Sequence, residues 1–179
     1  MESYDFELIT GCMRAGKNKY LIDCYAGSEI IEAYKPAVDI TNPNFITSRA
    51  YADNPDMRIP CQQVSSLYDV NPTQSIVLID EFQFFNVEEL RDFVLKCKHR
   101  HHRLVMAGLD LLADGTEWSA YTELKPLADK ITQLRAKCSI CGEPAEYSQR
   151  ITGDRDLQIQ LEGQATYEPR CGKHFDRSK

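Results

Sequence analysis

A glycine-rich loop near the N-terminus has the spacing of loops that bind nucleotide phosphates. In the motif G-x-x-x-x-G-K, backbone N–H groups surround the phosphates and Lys17 reaches the β- and γ-phosphates. Asn18 stands where Ser or Thr normally gives a hydroxyl to Mg²⁺. The loop therefore predicts phosphate binding and leaves the metal coordination open. The candidate phosphate-binding residues are Gly11, Cys12, Met13, Arg14, Ala15, Gly16, Lys17 and Asn18.

Two adjacent carboxylates follow a continuous apolar run at residues 75–79. Such a run is typical of a strand buried on both faces of a parallel sheet, and open α/β sheets bind ligands at the carboxyl ends of their strands. Asp80 is a candidate for holding Mg²⁺ and Glu81 a candidate general base. An acidic cap before the following helix would explain one carboxylate but not the pair.

Two pairs of metal-ligand residues lie in the C-terminal third, each with a two-residue spacer. They are Cys138 with Cys141, and Cys171 with His174. Three thiolates and one imidazole suit a structural zinc ion with no open position, which predicts one Zn²⁺ per chain. The other four cysteines show no such spacing.

Composition narrows the class of protein. The 179 residues are 42% hydrophobic and 27% charged, which suits a single globular domain with a small appendage. A net charge of −6 argues against non-specific nucleic-acid binding, and no apolar stretch is long enough to cross a membrane. The N-terminus does not resemble a signal peptide, and seven cysteines in this pattern favour a reducing compartment. We therefore expect a cytoplasmic protein that binds neither nucleic acid nor membrane.

Strand and helix patterns alternate along the first two thirds of the chain. Strands are predicted at residues 4–9, 29–34, 63–67, 75–79 and 104–109, and helices at 17–25 and 87–99. Residues 39–56 are rich in Asn, Pro and Asp and predict a mobile loop. A histidine cluster at 99–102 is interpreted as a solvated helix end, not a metal site. The order predicts an α/β fold: a P-loop parallel sheet with helices on both faces.

Several longer motifs, taken in order along essentially the whole chain, resemble the zinc-containing type II thymidine kinase family. They are K-P-A-V-D from Lys35, D-E-F-Q-F-F from Asp80, A-G-L-D from Ala107, L-A-D from Leu127 and Y-E-P-R-C from Tyr167. The resemblance implies transfer of the ATP γ-phosphoryl group, with Mg²⁺, to the 5′-hydroxyl of thymidine in nucleotide salvage for DNA synthesis. It also implies a P-loop kinase domain at 1–135, a zinc-binding lobe with a substrate-covering lid at 136–179, and a homotetramer.

The resemblance also assigns roles to single residues. Glu81 matches the general base, Asp80 and Gln83 join the phosphate-binding set, and Asp39 with Asp80 would hold Mg²⁺. The implied nucleoside-binding residues are Met13, Phe84, Leu109, Ala113, Gln158, Ile159, Gln160, Leu161, Glu162 and Tyr167.

Three positions depart from the family pattern: Asn18, Thr41 in place of an Arg, and Ala113 in place of an aromatic ring. An emptier base pocket would admit a bulkier 5-substituted deoxyuridine. Two alternatives stay open at this point. One is a catalytically weakened relative that binds nucleotide and regulates or scaffolds a partner. The other is an unrelated P-loop ATPase with a zinc ribbon. Retention of Lys17 and Glu81 favours an active kinase.

Overall fold

The computed structural model describes residues 5–154, 157–160 and 164–177. The strands are β1 (Phe6–Thr10), β2 (Ile31–Pro36), β3 (Phe45–Ile46), β4 (Ile59–Pro60), β5 (Gln62–Val64), β6 (Ile76–Ile79), β7 (Arg103–Gly108), β8 (Lys130–Gln133), β9 (Ala136–Lys137), β10 (Pro144–Ala145), β11 (Tyr147–Thr152) and β12 (Thr166–Arg170). The α-helices are α1 (Lys17–Tyr25), α2 (Val87–His99) and α3 (Ser119–Leu124), with short 3-10 turns at Arg49–Tyr51, Leu67–Asp69, Phe82–Phe84 and Lys125–Leu127.

Six of the strands form one parallel sheet in the order β5-β2-β6-β7-β1-β8. Its central strands β1, β6 and β7 are mostly apolar and almost fully buried, because helices cover both faces. On one face α1 packs through Leu21 and Ile22; on the other α2 packs through Leu90 and Phe93, next to α3. The predicted α/β fold with a parallel sheet is confirmed.

The predicted bounds of α1 and α2 match the structure. Gly27, with φ 78°, follows the end of α1, and α2 carries signals at both ends. The Asn86 side-chain oxygen accepts hydrogen bonds from the N–H groups of Glu88 (2.8 Å) and Glu89 (3.3 Å), and basic residues occupy the last turn of α2. The predicted strands shift by one to three residues. The strand expected at 63–67 is wrong at its end, since a 3-10 turn begins at Leu67.

The segment 39–56 contains short structure that local sequence does not reveal. Its strand β3 pairs antiparallel with β4, and a 3-10 turn follows at Arg49–Tyr51. Its mobility stays a prediction. In the histidine cluster, α2 ends at His99 and the His102 ring nitrogen Nδ1 lies 2.8 Å from the Gln74 carbonyl oxygen.

Beyond β8 the chain forms two small antiparallel pairs, β9 with β10 and β11 with β12. We call the described residues from 136 onward the C-terminal lobe; the predicted division into two domains at residue 135 stays a prediction. None of the helices in the described part of the chain combines the length and apolar character needed to cross a bilayer.

Candidate active site

The carboxyl ends of the parallel strands open onto a cavity of about 990 Å³. The loops after β1, β2, β6 and β7 reach it from the sheet, and the C-terminal lobe closes it from the opposite side. The predicted site residues that line it are Met13, Arg14, Gly16, Lys17, Asn18, Asp39, Asp80, Glu81, Gln83, Phe84, Leu109, Ala113, Gln158, Ile159, Gln160 and Tyr167. Gly11, Cys12 and Ala15 lie in the same loop but do not line the cavity. Leu161 and Glu162 lie outside the described residues.

The glycine-rich loop curls around the ammonium group of Lys17. This side chain is buried, and its Nζ donates to the carbonyl oxygens of Gly11 (2.9 Å) and Cys12 (3.1 Å). The loop thereby fixes a positive charge beside the N-terminus of α1, where the helix dipole also favours an anion. The arrangement suits a phosphate group.

Asp80 is a buried carboxylate next to the loop. Its Oδ1 accepts from the backbone N–H of Glu81 (3.0 Å), and its Oδ2 accepts from the Asn18 amide nitrogen (3.3 Å). Burial raises the pKa of Asp80 far above its usual range. The neighbouring Glu81 carboxylate raises this pKa further, while the positive charge of Lys35 lowers it. A divalent cation at this position would relieve the same electrostatic cost.

Glu81 adopts a left-handed backbone conformation, with φ 52° and ψ 44°. Such strained non-glycine residues cluster at functional sites. Gln83 orients its carboxylate: the Gln83 side-chain nitrogen donates to Glu81 Oε2 (2.6 Å), and the Gln83 side-chain oxygen accepts from the Leu109 N–H (3.0 Å). This chain of contacts ties the candidate base to the end of β7. Gly108 permits it, since a Cβ there would lie 2.4 Å from Gln83 Oε1.

Lys35 is a site residue whose role the sequence did not reveal. Its ammonium forms a 2.6 Å ion pair with Asp39 and donates to the Thr41 carbonyl oxygen (2.5 Å), with only 3% of the side chain exposed. Asp39 therefore lies in the cavity with a fixed cationic partner. The only indication of this role in the sequence is that the lysine directly follows a predicted strand, immediately before Pro36.

The apolar end of the cavity is formed by Phe84, Leu109, Leu112 and Trp118, beside the half-buried Ala113. The Trp118 ring is 7% exposed and stands edge-on to the Phe84 ring, at 5.8 Å between centroids and 79° between planes. Trp118 and Ala113 line the same cavity. Trp118 lies about forty residues after the apolar run at 75–79, and nothing in the sequence indicates its contact with Phe84.

Side-chain hydrogen bonds hold the segment of the C-terminal lobe that faces the cavity, which includes Gln158, Ile159 and Gln160. The Gln160 amide bonds both the N–H (3.2 Å) and the C=O (2.8 Å) of Asp154, and Arg150 donates to the carbonyl oxygens of Asp154 and Gln158, each at 2.8 Å. The Tyr167 hydroxyl donates to the Gln160 carbonyl oxygen (3.1 Å). These bonds hold the segment in place over the cavity.

The four predicted zinc ligands come together in the C-terminal lobe, with all ligand atoms within 4.8 Å of one another. The separations are 3.7 Å for Cys138 Sγ to His174 Nδ1, 3.7 Å for Cys141 Sγ to Cys171 Sγ and 3.4 Å for Cys171 Sγ to His174 Nδ1. A tetrahedral ion with Zn–S bonds of about 2.3 Å needs sulfur atoms about 3.8 Å apart. The residues therefore fit zinc.

The electrostatics of this cluster also favour a cation. Burial acts to raise the pKa of Cys138, but backbone N–H groups of Cys171, Cys141 and Ile140 outweigh it, with help from His174, and lower that pKa to about 5. A thiolate is the form that ligates zinc, and N–H groups directed at the sulfur are its usual outer partners.

Comparison with known proteins agrees with this geometry. A family model described as thymidine kinase matches residues 4–175. The chain belongs to the thymidine kinase family. A thymidine kinase of Coprothermobacter proteolyticus is 33% identical over 179 aligned residues, which cover 95% of this chain and 89% of that protein. A thymidine kinase of Rhodothermus sp. is 29% identical over 175 residues, covering 94% and 80% respectively. The family predicted from the motifs is confirmed.

Within this thymidine kinase family member, the three departures from the family pattern all lie at the cavity. Thr41, Asn18 and Ala113 line it. The Asn18 amide nitrogen also donates to the Thr47 carbonyl oxygen (3.2 Å), so its two donors serve Thr47 and Asp80 and its side-chain oxygen is left for another partner.

Proposed function

We propose that the protein is a deoxynucleoside kinase that transfers the γ-phosphoryl group of ATP to the 5′-hydroxyl of thymidine or a close 5-substituted deoxyuridine. The observation that carries the proposal is the placement of Glu81 and Lys17 on one cavity. One side chain can accept a proton and the other neutralises phosphate charge, and the family membership of the chain supports this pairing.

In the proposed reaction, the Glu81 carboxylate takes the proton of the 5′-hydroxyl as that oxygen bonds to the γ-phosphorus. The bond from the γ-phosphorus to the bridging oxygen breaks, and ADP leaves. The loop N–H groups and Lys17 stabilise the charge on the phosphates, while Gln83 keeps Glu81 in position. Phosphoryl transfer depends mostly on positioning and charge neutralisation, so few side chains suffice.

The residues near Asp80 fit a magnesium ion that arrives with ATP. The carboxylate oxygens of Asp80 and Asp39 and the side-chain oxygen of Asn18 are the hard ligands that Mg²⁺ prefers. Lys35 would limit the charge that Asp39 offers, since the two form an ion pair. When bound, Mg²⁺ neutralises charge on the β- and γ-phosphates.

The nucleoside base would lie in the apolar end of the cavity. Met13, Phe84 and Leu109 offer apolar contacts, and the braced segment that includes Gln158 and Gln160 offers backbone polar groups above them. Further expectations from the family are a homotetramer and a cytoplasmic role in nucleotide salvage; sedimentation velocity tests the tetramer.

Replacing the candidate base tests the proposal. Glu81→Gln keeps the shape of the side chain and an oxygen that can accept from Gln83, but it cannot take a proton. We expect kcat for thymidine to fall by roughly 10²-fold or more, with ADP affinity unchanged. The exposed Glu29→Gln variant is the matched control. Unchanged turnover in Glu81→Gln would remove Glu81 from the mechanism.

The second candidate is a weakened nucleotide-binding relative, which the departures at Asn18 and Thr41 favour. A coupled assay with ATP and Mg²⁺ across a panel of deoxynucleosides separates the two. If the protein binds ADP and phosphorylates none of them, the second candidate replaces the first.

A further inference from the structure

The phosphate-binding loop is attached to the C-terminal lobe as well as to the sheet. The N–H of Met13 donates to the Ser148 hydroxyl oxygen (2.9 Å), and the Cys12 thiol donates to the Ala145 carbonyl oxygen (3.4 Å). Gly11 approaches the segment that leads into the lobe so closely that a Cβ would lie 2.3 Å from the Leu134 carbonyl oxygen. Three successive loop residues therefore contact the lobe or its connection.

These contacts are buried and lie beside the zinc ligands. Ser148 is 4% exposed and Cys12 is 2% exposed. The Cys12 side chain belongs to one apolar cluster with Ala136, Ala145 and the two ligands Cys138 and Cys171. The thiol of the loop is thus packed directly against the part of the lobe that a metal would hold together.

One peptide group transmits this contact to Lys17. The carbonyl of Cys12 and the N–H of Met13 belong to the same rigid, planar unit and point in opposite directions. The N–H is held by Ser148, and the carbonyl accepts from Lys17 Nζ (3.1 Å). The lobe hydroxyl therefore fixes the orientation of the peptide that orients the phosphate-binding ammonium.

We propose that Ser148 and Cys12 are positioning residues through which the zinc-bound lobe holds the phosphate loop ready for nucleotide. The inference rests on the proposed nucleotide binding. The strand pairs β9–β10 and β11–β12 are two-stranded, and isolated pairs of this size have marginal stability. Zinc-binding free energy supplies local folding free energy in such units. Without the metal, ordering of Ser148 and of the loop would have to accompany nucleotide binding, which lowers affinity.

The test measures ADP–Mg²⁺ affinity by calorimetry, with zinc content and unfolding midpoint recorded for each protein. In the zinc-loaded protein, Ser148→Ala should weaken ADP binding by about three- to ten-fold, the worth of one hydrogen bond, at unchanged zinc content. Ser139→Ala, an exposed serine of the same lobe, is the matched control and should bind ADP as the original chain does.

Metal removal gives the second arm. After dialysis against a chelator and return to Mg²⁺ buffer, the original chain should lose at least about tenfold in ADP affinity and regain it with Zn²⁺. In Ser148→Ala the further loss should be under about threefold, because the connection is already broken. Wild-type ADP affinity in zinc-loaded Ser148→Ala would overturn the proposal. That measurement needs no metal removal, so it decides the question even if the metal-free chain unfolds. A chain that binds ADP but phosphorylates no nucleoside would refute the kinase proposal and leave this one intact.

Discussion

Gly108→Ala should damage the active site without touching substrate. The added Cβ would lie 2.4 Å from Gln83 Oε1 and 2.6 Å from the Phe82 ring, whereas ordinary contact begins near 3.4 Å. The Gln83 amide must therefore move by about 1 Å to restore ordinary contact. Its 3.0 Å bond to the Leu109 N–H would stretch to about 4 Å, and the bond to Glu81 would be lost with it.

The magnitude follows from those contacts. A neutral hydrogen bond contributes roughly 0.5–1.5 kcal/mol and one to a charged group roughly 1.5–3 kcal/mol, so the free energy of unfolding should fall by about 2–4.5 kcal/mol. A misplacement of about 1 Å at the candidate base should lower kcat by roughly 10²-fold.

Denaturant unfolding and steady-state kinetics, run where the variant is fully folded, check both values. Gly172→Ala is the matched control, because the nearest atom to its Cβ would be 4.0 Å away and its φ is not positive. The double variant Gly108→Ala, Gln83→Ala should lose less free energy of unfolding than the two single variants lose when their losses are added. A Gly108→Ala protein with unchanged kcat would refute the view that Gln83 positions Glu81.

Three further predictions concern the metal ions and the base pocket. Asn18→Thr should tighten ATP–Mg²⁺ binding several-fold, because a hydroxyl can donate to Asp80 and ligate Mg²⁺ together; weaker binding would show that the amide contact with Thr47 is required. Elemental analysis should find one zinc per chain and almost none in Cys141→Ser, and a metal-free protein purified without chelators would disprove the zinc site. Ala113→Phe should raise the kcat/KM preference for thymidine over a bulkier 5-substituted analogue by roughly tenfold, whereas an unchanged ratio would mean that Trp118 already fills the space.

The features that the sequence predicts correctly are those set by residues close together in the chain. Helix α2 has matching predicted and observed bounds because Asn86 caps it and basic residues close it. The zinc ligands were predicted because their spacing alone brings each pair to one ion. Helix α3 and strand β8 were missed. Strand β8 is an edge strand with alternating polar residues, and its pairing with β1 joins residues far apart in the chain.

The contacts that complete the site are likewise long-range. Ser148 lies 135 positions from Met13, and no periodicity or spacing relates them. The same holds for the ring contact between Phe84 and Trp118. Other site contacts are local: Gln83 and Glu81 lie two positions apart, and the Lys35–Asp39 ion pair joins residues four positions apart.

Trp118 also makes the binding step directly observable. It is the chain's single tryptophan, and it stands at the wall of the proposed base pocket with its ring against Phe84. Because the nine tyrosines also fluoresce, excitation must be selective for tryptophan; that emission then comes from one position next to the proposed nucleoside. Stopped-flow emission records would follow nucleoside arrival without a label, and rapid-quench measurements of phosphorylated product would follow the chemistry separately. The order of substrate addition and the step that limits turnover can then be measured on the same protein.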